Sequence, residues 1–236
     1  LLVDRGANVR GRTKYGRTAL HAAATFGRLE LIERYLKAGA DLNDADNPGK
    51  ETPLHSAVYG QQYEVIDLLA GRGAFVDARN SSEMTPLQQA VVLNQNDDRM
   101  PGIVALLRNK ANPNVANSEG NMPLHMAVGV SGRVPSANAA RALLEHGAWP
   151  HPANRDGRSP HTLALESGKP ELQDLFLKPR SAQAKGMSVN YNVGEPILAG
   201  ERKVYTLYIP YEAQQGGLHI RLKFGGKEAL AMRLES

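Results

Sequence analysis

Residues 16–43 read GRTALHAAATFGRLELIERYLKAGADLN, and this stretch decides the fold. Thr18 suits the cap of a helix beginning at Ala19, because a threonine hydroxyl accepts from the free N–H groups of a first turn. Leu29, Ile32 and Leu36 then recur at helical spacing, which predicts a second helix with one apolar face. Gly39-Ala40 ends that helix, since glycine adopts the left-handed conformation that other residues resist. Working outward, the tetrad Thr18-Ala19-Leu20-His21 returns as Thr52-Pro53-Leu54-His55, Thr85-Pro86-Leu87-Gln88, Met122-Pro123-Leu124-His125 and a decayed Ser159-Pro160-His161-Thr162. The steps between first residues are 34, 33, 37 and 37. Proline after the first residue fits a first helical turn, where its missing N–H is not needed. A second marker keeps the same phase: Gly6-Ala7, Gly39-Ala40, Gly73-Ala74, Lys110-Ala111 and Gly147-Ala148. One such unit cannot bury its own apolar face, so copies must stack.

Tetrad and marker together resemble the ankyrin repeat family, over residues 1 to about 178. The resemblance implies a hairpin-like turn and two antiparallel helices per repeat, stacked into an α solenoid. A partial first repeat spans 1–13, and further repeats span about 14–47, 48–80, 81–117, 118–154 and 155–178. Leu1 to Ala7 reads as the end of a second helix, so preceding repeats or another cap are expected. The chain also begins without Met and shows no signal peptide, which suits a fragment or a processed chain. Two repeats are longer inside. Residues 94–102 (NQNDDRMPG) and 129–137 (GVSGRVPSA) each add about four residues between the helices. They read either as drift in surface loops or as a paired binding ledge.

After Pro179 the pattern changes. Residues 179–186 read as a linker, and 187–236 as a small antiparallel β C-terminal domain. Val189, Tyr191, Val193; Tyr205, Leu207, Ile209; Leu218, Ile220, Leu222, Phe224; and Leu230, Met232, Leu234 alternate as half-buried strands do. Gly216-Gly217 and Gly225-Gly226 punctuate them. A sheet this small, without Cys or metal, has to lean on something. It caps the last repeat, pairs with a second copy, or docks on a partner through an edge strand. Tyr191, Tyr205, Tyr208 and Tyr211 read as strand residues before interface residues.

Composition excludes several classes. The chain has no Cys, so disulfides, thiolate metal sites and thiol catalysis drop out. Its net charge of +4 lies mostly after Pro179, with no basic stripe, so nucleic acid is not an expected partner. No apolar run reaches the roughly 18 residues of a membrane helix, so no membrane insertion is expected, and a soluble, cytoplasmic or periplasmic protein is. His21, His55 and His125 hold a fixed place in the tetrad and, by the resemblance, bond to backbone between repeats. His146, His151 and His161 lack carboxylates at ligand spacing, so no metal or other cofactor is expected. No catalytic motif or nucleophile–base pair is evident, and no enzyme is expected. Asn80-Ser81-Ser82 matches a glycosylation sequon. Gly225-Gly226-Lys227 is read as a hairpin turn before an anion cradle.

The resemblance places partner contacts on the concave face, along finger tips and first helices. In this register they fall on Tyr15, Arg17, Thr25 and Phe26; Asn47, Lys50, Glu51 and Tyr59; Ser82, Met84, Val92 and Leu93; Glu119, Asn121 and Val130; and Arg155, Asp156 and Arg158. Phe26, Tyr59, Val92-Leu93 and Val130 are expected at one place near the end of four successive first helices. They form an exposed apolar ladder or lie under the long loops. Trp149, the single Trp, is either an exposed hot spot or packed under loop or tail. The expected function is non-catalytic binding of a partner protein. A narrower reading is a bacterial immunity or inhibitor protein that neutralises a secreted toxic enzyme such as a lipase. A third is a regulatory part of a larger enzyme.

Overall fold

Each described repeat opens on an extended residue, and in three of them its side chain and backbone close the first turn of a short helix. Thr52 Oγ1 accepts from the N–H of His55, and the His55 ring accepts from the N–H of Thr52. Thr85 and Gln88, and Ser159 and Thr162, make the same reciprocal pair. These boxes satisfy N–H groups that a helix start leaves free. Proline follows at the first helical position of each of these helices.

The computed structural model describes residues 8–94, 97–130, 134–177, 219–224 and 227–233. Among them, the first helices are α1 (Ala19–Thr25), α3 (Pro53–Tyr59), α5 (Pro86–Leu93), α7 (Pro123–Ala127) and α9 (Pro160–Glu166). The second helices are α2 (Leu29–Lys37), α4 (Tyr63–Gly71), α6 (Met100–Arg108), α8 (Ala137–Glu145) and α10 (Pro170–Leu177). First helices pack on first helices from α1 through α9, and second helices on second helices from α2 through α8. The result is a two-row helical solenoid. Leu20, Leu54, Leu87 and Leu124 fill one buried column, and Ile32, Ile66 and Ile103 another. Burying each such side chain contributes about 1.5–3 kcal/mol, and no repeat can do so alone.

The second helices end as the sequence requires. Gly39, Gly73 and Gly147 have φ of +85°, +91° and +85°. Lys110 takes the same place at +66°, a conformation that glycine adopts without a Cβ clash.

The chain divides into two compact units, Leu1–Phe176 and Leu177–Ser236. In the second unit the described residues are two antiparallel strands, β1 (His219–Phe224) and β2 (Lys227–Arg233). His219 pairs with Arg233 and Phe224 with Lys227, and the register shifts between Arg221 and Lys223. Among the described residues the second unit offers only this strand pair, which is marginally stable by itself in water, so the small antiparallel β domain expected is not supported. The strands expected near 189–193 and 205–209, the linker, and Leu1 to Ala7 lie outside the described residues.

Candidate partner-binding surface

The tetrad histidines are joints between repeats. Their Nδ1 atoms face the N–H of Thr18, Thr52 and Met122, at 3.2 Å in each case. An acceptor role for Nδ1 leaves the proton on Nε2. His21 then donates to the carbonyl of Glu51 at 2.8 Å, His55 to Met84 at 3.2 Å and His125 to Arg158 at 3.1 Å. Gln88 does the same work in its repeat, donating to Val115 and Asn121 carbonyls at 3.0 and 2.9 Å. Burial disfavours the charged imidazole and pushes His55 down to about 4, with His21 and His125 moved the same way.

A second ladder builds the fingers. Asn80 Oδ1 accepts from the N–H of Ser82 and Met84, Asn117 Oδ1 from Glu119 and Asn121, and Asn154 Oδ1 from Asp156 and Arg158. Asn47 and Thr13 hold the two earlier fingers in the same way. All five residues stand five positions ahead of the tetrad, so the signal was in the sequence and was overlooked. The ladder also reassigns the sequon: Asn80 is only 6% exposed and its amide oxygen is committed to the turn, which withholds it from modification in the folded chain.

The expected contact residues divide into two groups. Tyr15, Phe26 and Tyr59 are 65%, 69% and 60% exposed, and Trp149 is 58% exposed. Lys50, Arg155 and Arg158 are also exposed. Phe75, exposed and one place after Gly73-Ala74, occupies the position of Trp149 and was missed. Both lie outside the fingers: the N–H of Phe75 bonds Asn43 Oδ1 and that of Trp149 bonds Asn114 Oδ1.

The other group has structural work. Val130 is 6% exposed and belongs to the core, and Val92 packs against that core half-buried, as Leu93 is half-buried. Asn121 is buried between Glu119 and Asn154, bonded to both. Met84 and Glu51 are half-buried, and their carbonyls receive the histidine joints. Arg17 pairs with Glu51, and Arg158 of the exposed group is likewise paired, with Glu166.

The apolar ladder therefore does not run through four repeats. Even its first two members are not equivalent. Tyr59 is the last residue of α3, whereas Phe26 is the cap residue after α1, and the counterpart of Phe26 is Gly60. A Cβ on Gly60 would meet the carbonyl oxygen of Thr25 at 2.0 Å, so close stacking of α3 on α1 permits only glycine there. Phe26 borders an open groove of about 410 Å³, lined also by Ala19, Ala22, Arg28, Leu31 and Tyr35.

The two long loops meet at one carboxylate. Asp97 Oδ1 accepts from Ser136 Oγ at 2.5 Å and from Asn94 Nδ2 at 3.1 Å, while Oδ2 accepts from Asn138 Nδ2 at 2.6 Å. Ser136 also caps α8 by accepting from the N–H of Ala139. The bond from Ser136 holds Asp97 below the usual carboxylate range, against the effect of burial. Arg99 reaches back and donates to the Val58 and Tyr59 carbonyls at 3.3 and 2.9 Å, and Tyr63 donates to the carbonyl of Asp98 at 3.2 Å. The first insertion thus ties the end of α3 to the start of α8.

Among the described residues no cluster of three or more His, Asp or Glu is placed to hold a metal. His151 and His161 stand with ring centres 5.1 Å apart, and His161 lies 5.8 Å from Phe176, an aromatic contact. No helix among the described residues is long and apolar enough to cross a membrane.

Comparison with known proteins agrees with this geometry. A family model described as ankyrin repeats (many copies) matches residues 20–70. The chain is 38% identical over 123 residues to neurogenic locus notch homolog protein 1 of Danio rerio, covering 51% of this chain and 5% of that protein. It is 38% identical over 127 residues to neurogenic locus notch homolog protein 2 of Homo sapiens, covering 52% and 5%. The match thus spans about one twentieth of the length of these curated relatives. Sequence match and paired helical rows together identify an ankyrin repeat solenoid in this chain.

Proposed function

We propose that the chain is a non-catalytic scaffold that recognises a partner protein through the concave face of its ankyrin repeats. The array is read as ending near residue 178, with the strand-rich tail a separate element that adds contacts or self-associates. The observation that carries this reading is the set of large apolar side chains, Tyr15, Phe26 and Tyr59, left in solvent by a rigid stack that buries its other leucines and isoleucines well. Exposed aromatics on rigid elements are what interface hot spots are made of. The test is affinity capture by the full chain from lysate of its source cells, read by mass spectrometry, beside a Phe26→Asp/Tyr59→Asp variant. A protein retained by the parent and lost by the folded variant supports the reading. Equal capture by both refutes it.

A further inference from the structure

The exposed surface is not uniform along the stack. Tyr15, Phe26, Tyr59 and Phe75 are exposed in the first two repeats, with Trp149 the exposed aromatic further along, whereas Val92, Leu93 and Val130, which follow Phe26 and Tyr59 in register, are half-buried or buried. Charge follows the same division. Fingers one and two, residues 10–17 and 44–51, hold five cations (Arg10, Arg12, Lys14, Arg17 and Lys50) against three carboxylates (Asp44, Asp46 and Glu51). Their internal pairing is settled. Arg12 takes Asp44 and Asp46, and Arg17 takes Glu51, so all three carboxylates are occupied.

Arg10, Lys14 and Lys50 remain without a carboxylate partner among the described residues, and the two lysines stand nearest the finger tips. Lys14 Nζ lies over the ring of Tyr15, 4.9 Å from its centre, so cation and aromatic face form one exposed feature. Lys50 stands at the tip of finger two with φ of +48°. Fingers one, four and five place Gly16, Gly120 and Gly157 at this position, all with positive φ. The fold therefore asks for glycine there, and Lys50 sits at a conformation that disfavours a side chain. The third finger carries the opposite charge at this position, Glu83, at φ of +57°.

We propose that the segment bound by this surface is an extended acidic peptide, with carboxylates flanking an aromatic or aliphatic side chain, lying across the fingers and first helices of repeats one and two. This rests on the scaffold reading above and narrows it to one chemistry. Apolar side chains of the partner meet Tyr15 on the first finger and Phe26 and Tyr59 at the ends of the first helices, and its carboxylates meet Lys14 and Lys50. Complementary charge at such a rim sets specificity and association rate, and salt weakens it.

The experiment selects random 16-residue peptides displayed on phage against the full 236-residue chain at about 0.15 M salt. The enriched peptides are then measured by fluorescence anisotropy against the parent, Lys14→Gln/Lys50→Gly and Phe26→Asp/Tyr59→Asp. Lys50→Gly installs the residue that three other fingers use, so loss of fold is not expected, and circular dichroism checks it. The expected result is enrichment of Asp and Glu around an aromatic or aliphatic residue. Binding should weaken about tenfold in the lysine variant, which is the scale of two exposed charge contacts, and the gap should narrow at 0.5 M salt. Enriched peptides that are neutral or basic, yet lost in the Phe26/Tyr59 variant, overturn the acidic assignment and leave the scaffold reading standing. Peptides indifferent to both variants, or no enrichment at all, overturn both. Preference for a DNA oligonucleotide over every peptide also overturns it.

Discussion

Acid should loosen the repeat joints in a way that a few glutamines abolish. His21, His55 and His125 each accept one backbone hydrogen bond through Nδ1 and donate another through Nε2, so a second proton breaks the first of these bonds. Burial lowers all three, His55 to about 4. A histidine lowered in the folded state keeps its full contribution above the unfolded value of about 6.5 and loses it as pH falls toward the folded value. The window is therefore about pH 6.5 to 4. At pH 4.5 the unfolded chain has taken the proton and folded His55 mostly has not. Two pH units at about 1.4 kcal/mol each give a loss of about 3 kcal/mol from His55, with His21 and His125 adding in the same direction. Gln88 supplies the control, since it makes both joint bonds and does not titrate. In urea unfolding followed by circular dichroism at pH 7.5 and 4.5, the parent should lose at least about 3 kcal/mol more than His21→Gln/His55→Gln/His125→Gln. Surface carboxylates act alike in both chains, so the difference isolates the joints. Equal losses in parent and triple variant would refute the reasoning.

Three further outcomes are expected. Asp97→Ala should cost about 1–2 kcal/mol in urea unfolding, because one partly exposed carboxylate accepts bonds from Asn94, Ser136 and Asn138; hydrogen exchange should quicken at the start of α8, and unchanged protection there would count against the bridge. Lys110→Gly should stabilise by about 0.5–1 kcal/mol, since it relieves a left-handed lysine at slight entropic cost, and an unchanged melting temperature would show that the position carries no strain. Val130→Asp should destabilise by more than about 3 kcal/mol, while Tyr59→Asp stays within about 0.5 kcal/mol, because the first places a charge in the core and the second leaves it in water.

The sequence by itself determined the repeat. Capping residues, Pro53, Pro86 and Pro123, and the glycines ending second helices act through bonds within a few positions, so each leaves a local mark that recurs in phase. The tetrad histidines were legible for the same reason, and the Asn ladder of the fingers was equally present. What a contact surface exposes is not local. Val130 and Asn121 were placed by register on the binding face, and only packing between neighbouring repeats buries them. Gly60 reads as an ordinary turn residue until α3 is stacked against Thr25. The long loops gave no sign that Asp97 would join them, because its partners lie 39 and 41 residues away. Periodicity is written in the spacing of residues along the chain. Exposure depends on which side chains the stacked neighbours bring against one another, and that is settled only when repeat stacks upon repeat.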